Sequence, residues 1–227
     1  MAVRDGRGDV KQTTTGFRDP RHHICQKQIP IPNQIRFEGF ETLFQTYPLA
    51  KVERLMEYVR PNGGISRYKK IRYFYEEILQ EPLSKSKCNA VAMDYSRIVK
   101  NKIIKAPFVK GALRFFEENK NSYNFSIISG SDQKELQDIC REKKIDKYFC
   151  EILGSPTEKN ENLSNFLERK GLEKRKCLYI GDSINDYNAA KENELSFLGR
   201  QSGLIDWKEI PETDYIENLS CLTEYLT

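Results

Sequence analysis

No apolar run in this chain reaches the ~18 residues that a membrane-spanning helix needs. Its 227 residues are 38% hydrophobic and 31% charged, which excludes a membrane-embedded class. The amino terminus also lacks the apolar core of a secretory signal peptide. Histidine is nearly absent: there are two, His22 and His23, side by side and without the further ligands a zinc centre takes. Six cysteines occur, at 25, 88, 140, 150, 177 and 221, and none has Cys-x-x-Cys spacing. Cys150 and Cys177 fall in expected strands and Cys140 on an expected helix, so they read as small core hydrophobes. The implied compartment is the reducing cytoplasm. A surplus of one charge is missing too, since 37 Lys and Arg stand against 33 Asp and Glu, well mixed, for a net +4. A nucleic-acid footprint would gather its cations on one face. The pairs Lys69-Lys70 and Lys143-Lys144 read instead as solvated helix faces. No internal repeat is visible.

What is present is a series of apolar runs that end in small polar residues. Lys176 to Ile180 reads as a buried strand, Gly181 breaks it, and Asn185 to Asn193 follows as a helix with Ala189 and Ala190 toward the sheet. Asp182 and Asp186 therefore sit at the carboxyl end of a strand and in the turn behind it, the edge where open α/β sheets bind ligands. Two such carboxylates can share a hard cation such as Mg²⁺. Taken alone, they serve equally well as helix-capping acids. Tyr123 to Ser131 is a second strand, ending in hydroxyls and glycine before a helix over Asp132 to Lys144. Ser129 with the amides of Gly130 and Ser131 suits a phosphate. Phe149 to Pro156 is a third strand, and Lys159 opens the helix after it, where a cation can neutralise a phosphate and nearby carboxylates. A lysine at such a position is by itself more often a solvated surface residue.

Strands near 124–128, 149–153, 176–180 and 195–199 alternate with helices, the pattern of an α/β protein with a doubly wound parallel sheet. Asp214 to Ile216 adds a short strand and Leu219 to Leu226 a terminal helix. Residues 33–105 read as helices, with Phe37, Phe40, Leu43 and Phe44, then Ile71, Phe74, Tyr75 and Ile78, at helical spacing. Pro61-Asn62-Gly63-Gly64 marks a loop, and Ser66 caps the next helix. The chain thus divides into a polar segment 1–32, a helical segment 33–105 and an α/β core 106–227.

Ile127-Ile128-Ser129-Gly130-Ser131, then Lys159, then Gly181-Asp182-Ser183-Ile184-Asn185-Asp186 resemble, in this order, three motifs of the haloacid dehalogenase-like hydrolase superfamily. Asn33 to Phe44 and Gly63 to Lys70 resemble the helical cap of its phosphoglycolate phosphatase and sugar-phosphate mutase branch. The resemblance implies a Rossmann-like core with a helical cap insert, and Mg²⁺-dependent hydrolysis of a small phosphorylated metabolite. It puts Ser129, Gly130 and Lys159 on the phosphate, Ser129 and Lys159 in the chemistry, and Asp182 and Asp186 on Mg²⁺. It also places the cap loop over the active site. There Arg67 and Lys70 share one helix face, and cations at a helix start gain nothing from its dipole. Both points favour an anionic part of the substrate as their partner, with a solvated face as the alternative. Neither a nucleic-acid nor a membrane partner is implied; the particular phosphoester and the oligomeric state are not legible.

One motif is missing. Members of this family attack phosphate with an aspartate in a strand-ending Asp-x-Asp-Gly shortly before the first cap helix. Here that window reads Ile24, Cys25 and Gln26, and no acid occurs between Pro20 and Pro32. Pro30 and Pro32 are expected to spoil a central strand. Asp5 and Asp9 have no apolar strand before them. Either residues 22–31 fill the central strand position poorly, or the chain is a natural degenerate, or its start is replaced or misassigned; the polar, aperiodic character of residues 1–32 favours the last. Without the carboxylate nucleophile and the acid that protonates the leaving oxygen, the chain as written is expected to be inactive. The other reading is a non-catalytic phosphate- or sugar-binding or partner module that keeps the fold.

Overall fold

The computed structural model describes residues 22–26 and 33–226. Six strands form one parallel sheet: β1 (His23–Gln26), β2 (Asn124–Asp132), β3 (Phe149–Ser155), β4 (Cys177–Gly181), β5 (Ser196–Arg200) and β6 (Tyr215–Ile216). Their order is β3-β2-β1-β4-β5-β6. The chain winds one way from β1 to β3 and the other way from β4 to β6, so the winding reverses between β1 and β4. The crevice at the carboxyl ends there is where such sheets take ligands. Helices α5 (Ala112–Asn119), α6 (Gln133–Glu142), α7 (Lys159–Lys170) and α8 (Ile184–Glu192) complete the crossovers. The α/β expectation holds, including the short strand near 215. The terminal helix is a 3₁₀ segment over Leu219–Tyr225.

The first strand fills the central position that the sequence left open. His23–Gln26 occupies the centre of the sheet, with His23 opposite Asn124 and Cys177, and Gln26 opposite Ile127 and Ile180. Its described residues number four, and the prolines at 30 and 32 lie outside the described residues. Successive side chains of a strand face opposite sides. Ile24 accordingly joins Phe125 and Leu178 in one apolar cluster, and Cys25 joins Phe166 and Tyr179 in another. Neighbouring strands, rather than local hydrophobicity, bury this segment. Among the cysteines, Cys140 and Cys177 are buried as expected, but Cys150 is exposed on the edge strand β3.

His23 makes this strand sensitive to acid. Its ring is buried, lies edge-on to Phe166 at 5.3 Å, and sets Nε2 3.3 Å from Cys150 Sγ. Burial, helped by the charge of Lys170, lowers its pKa from 6.5 to about 4. The unfolded chain takes up this proton below pH 6.5 while the native chain refuses it until about 4, so stability is full above 6.5 and falls through that window. The loss is roughly 2 kcal/mol once residual solvent screening is allowed for. Denaturant midpoints at pH 7 and pH 4.5 should therefore differ more for the parent than for His23→Phe. Equal pH dependence in both would remove His23 as the source.

The segment 33–105 folds as α1 (Asn33–Leu43), α2 (Leu49–Val59), α3 (Arg67–Arg72), a π-helical stretch Tyr73–Leu79 and α4 (Lys85–Lys105). The apolar positions read at helical spacing meet here: Phe44 lies on Phe74 at 4.0 Å and Phe40 on Tyr95 at 4.4 Å. Their cluster continues into Leu136 and Ile139 of α6 and Ile127 of β2, so the helical segment is packed on the sheet side of the molecule. No described helix is long and apolar enough to cross a membrane.

Candidate active site

The carboxyl ends of β2, β4 and β5 and the starts of α1, α7 and α8 converge at the switch point. β4 is buried throughout and ends at Gly181, which lets the chain turn tightly: a Cβ there would lie 2.2 Å from Asp186 Cβ. Asp186, in the first turn of α8, reaches back so that Oδ2 accepts from the Ser183 amide at 3.0 Å, the Ser183 hydroxyl at 2.6 Å and the Asp182 amide at 3.3 Å. This is the capping arrangement. Its Oδ1 accepts from Lys159 Nζ at 2.6 Å, in a pair with side chains 8% and 0% exposed. The lysine that opens α7 is thus buried against the carboxylates and is no surface residue.

Asp182 Oδ2 accepts from Arg200 Nη2 at 2.6 Å and from Asn33 Nδ2 at 3.2 Å. On β2, Ser129 Oγ accepts from the Ser131 amide at 3.2 Å and lies 3.1 Å from Ser131 Oγ, which takes a further bond from Arg36 at 3.0 Å. The strand runs on to Asp132, so Ser129 and Gly130 stand ahead of the start of α6 rather than in its first turn. The structure therefore brings Ser129, Lys159, Asp182 and Asp186 to one edge. Sequence reasoning missed Asn33, Arg36 and Arg200. Only Arg200 carried a usable signal, since it closes a strand at the ligand-binding edge.

The loop Gly63-Gly64 lies directly on this edge. A Cβ on Gly64 would sit 2.5 Å from Ser183 Oγ and 3.0 Å from Lys159 Nζ, and one on Gly130 would sit 2.5 Å from the Gly64 carbonyl oxygen. Two hydrogen side chains make this contact possible. Beneath the loop, between Asn33, Arg36, Phe40, Arg67, Lys70 and Ser129, remains a cavity of about 20 Å³, close to what one water fills. Outside the loop a crevice of about 210 Å³ reaches Lys159, with Lys69, Asn185 and Asn188 among its walls.

Arg67 and Lys70 are both buried in the cavity wall. The Arg67 guanidinium is engaged by Glu135 of α6 in a two-pronged pair, Nη1 to Oε2 at 2.9 Å and Nη2 to Oε1, while Nη1 also donates to Ser96. It stacks on Tyr95 at 4.7 Å. Burial acts to raise the Glu135 pKa, but the hydrogen bonds and charge of Arg67 outweigh it and hold the carboxyl below its usual range. Lys70 Nζ lies 5.6 Å from the centre of the Phe40 ring.

The family model described as haloacid dehalogenase-like hydrolase matches residues 33–199. No curated protein sequence matches the chain significantly. Solved structures with the same fold include a haloacid dehalogenase-like family hydrolase from Streptococcus pneumoniae, 21% identical, covering 92% of this chain and 99% of its own with a TM-score of 0.68. A predicted phosphoglycolate phosphatase from Haemophilus somnus is 13% identical over 92% of this chain and 99% of its own, TM-score 0.69. A beta-phosphoglucomutase from Clostridium difficile is 12% identical over 90% and 96%, TM-score 0.69. At these identities the shared property is the fold.

Proposed function

Because this chain belongs to the haloacid dehalogenase-like hydrolase family, we propose that it binds a small phosphomonoester of the phosphoglycolate or sugar-phosphate type and does not hydrolyse it. The observation that carries this is a site with its binding half and without its reacting half. Ser129 and Lys159 converge at the switch point, and β1, with His23, Ile24, Cys25 and Gln26, holds the central place in the sheet, where the resemblance puts the family's nucleophile at the strand end. Residues Lys27 to Pro32 add no acid. In this reading 33–105 is the cap and 106–227 the core.

Lys159 supplies the charge that a phosphate dianion needs, and Ser129 donates one hydrogen bond to it. Gly63-Gly64 has to lift for the ligand to enter and then excludes water from it. Asp182 and Asp186 orient the cations and bear no part in bond making. The family generally uses Mg²⁺, which supplies charge neutralisation at the transferring phosphoryl group when bound. Among the described residues the donors do not fit it, because no third acid joins Asp182 and Asp186 and both of these accept from cations. A reducing cytoplasmic setting is consistent with cysteines that are all unpaired.

Calorimetric titration with 2-phosphoglycolate and with glucose 1-phosphate tests the proposal, alongside phosphate release from both. Binding of at least one without release is expected. Ser129→Ala should weaken it about tenfold, the worth of one hydrogen bond to a charged group, and leave the melting temperature near the parent's. Release that disappears with Asp182→Asn would refute the binding-only reading.

A further inference from the structure

The place of a divalent cation beside Asp182 is taken from within the chain. We infer that Arg200 is the resident counter-cation of Asp182 and that the site for this reason takes up no divalent metal ion. The Asp182 side chain is 1% exposed and that of Arg200 13%, with 2.6 Å between Nη2 and Oδ2. A carboxylate so buried requires a partner charge, and the guanidinium provides it together with a directed hydrogen bond. Unlike a water or a carbonyl, it brings no lone pair with which to join a metal's coordination shell. Asn33 adds a second donor to the same oxygen. Both oxygens of Asp186 already accept bonds from Lys159 and Ser183. Mg²⁺ keeps several waters and is commonly held through one or two carboxylates, so an Asp182 released from the guanidinium would hold a divalent ion weakly, with no group of three His, Cys, Asp or Glu ligands among the described residues to hold it tightly.

Arg200 is also fixed where it stands. Its carbonyl oxygen accepts from Trp207 Nε1 at 3.0 Å, and Gly199 before it packs so closely on the Trp207 ring that a Cβ would lie 2.7 Å away. Trp207 is 1% exposed. The end of β5 therefore holds its guanidinium toward Asp182 through a packed indole. The inference stands whether or not the cavity binds a phosphomonoester, since it concerns the carboxylate alone.

The test uses the full chain and two ions, Mn²⁺ read by the loss of its free-ion paramagnetic resonance signal and Mg²⁺ read by thermal melting. The parent should leave the Mn²⁺ signal undiminished, and its melting temperature should not respond to Mg²⁺. Arg200→Gln should melt lower, recover part of the loss on addition of Mg²⁺ and bind Mn²⁺, while Arg200→Lys should stay indifferent to both ions. One Mn²⁺ bound per parent chain and lost in Asp182→Asn would overturn the inference. So would an Arg200→Gln variant that folds and ignores both ions. If that variant does not fold, the parent and Asp182→Asn still decide through the Mn²⁺ signal.

Discussion

Replacing residues 1–32 with a strand that ends in Asp-x-Asp-Gly, joined to Asn33, should turn a chain without measurable turnover into a Mg²⁺-dependent phosphatase. The parent is expected to release no phosphate from an aryl phosphate above background. The gain in the chimera is then the whole enzymatic acceleration, on the order of 10⁶-fold or more over the uncatalysed reaction. β1 already fills the central position between β2 and β4, so a strand in its place delivers two carboxylates to the edge where Ser129, Lys159 and Asp182 converge. One acts as nucleophile and the other as proton donor to the leaving oxygen. In that background Lys159→Ala should reduce kcat by about 10²- to 10³-fold, as for the loss of one charge-stabilising donor. The Arg200–Asp182 pair adds a graded expectation. The chimera should need more Mg²⁺ for half-maximal rate than the chimera carrying Arg200→Gln, because the guanidinium competes for the same oxygen. A chimera that stays inert and binds no more Mg²⁺ than the parent would show that these residues do not form the metal site.

Most of the sheet was readable because each crossover strand announces itself locally. The apolar runs before Ser129, Gly154, Gly181 and Gly199 are closed by small residues that the tight edge demands, and β2 to β5 lie where those runs lie. β1 carries no such signal. Two of its four residues are His23 and Gln26, prolines follow soon after, and what buries it is a neighbour on each side contributed from far along the chain. The candidate site divides in the same way. Ser129, Lys159, Asp182 and Asp186 stand at fixed distances from strand ends and so could be named from the sequence. Arg200 meets Asp182 across two strands, and Arg36 meets Ser131 across 95 positions. Such pairings have no spacing in the sequence and follow only from the strand order. Cations at the start of α3 ask for an anion, and the one beside Arg67 is Glu135, 68 residues away on α6, a pairing that likewise has no spacing in the sequence.

That pair carries the largest expected effect on stability. Arg67 and Glu135 have side chains 3% exposed each, so Arg67→Ala leaves a carboxylate in the interior with the Ser96 hydroxyl and only the weaker, more distant charge of Arg36 to support it. Removing one partner of a buried pair costs about 3–5 kcal/mol, because the remaining charge is stranded. Denaturant unfolding should show this as a shift of the midpoint at unchanged slope. Removing both charges together, as Arg67→Met with Glu135→Gln, should recover most of the loss, since a buried pair exchanged for neutral groups of similar volume is often nearly neutral. An exposed pair such as Arg114–Glu118 supplies the control, and Arg114→Ala should leave the midpoint where it is. The sign with pH follows from Glu135, whose pKa is held below the usual range by Arg67 in spite of its burial. The pair's contribution is present above the ordinary carboxylate pKa and disappears as acid protonates Glu135 in the native state. The gap between parent and Arg67→Ala should accordingly narrow on acidification. If Arg67 instead serves chiefly to hold an incoming anion, the outcome reverses: Arg67→Ala would unfold with the parent's midpoint and lose only its affinity for 2-phosphoglycolate.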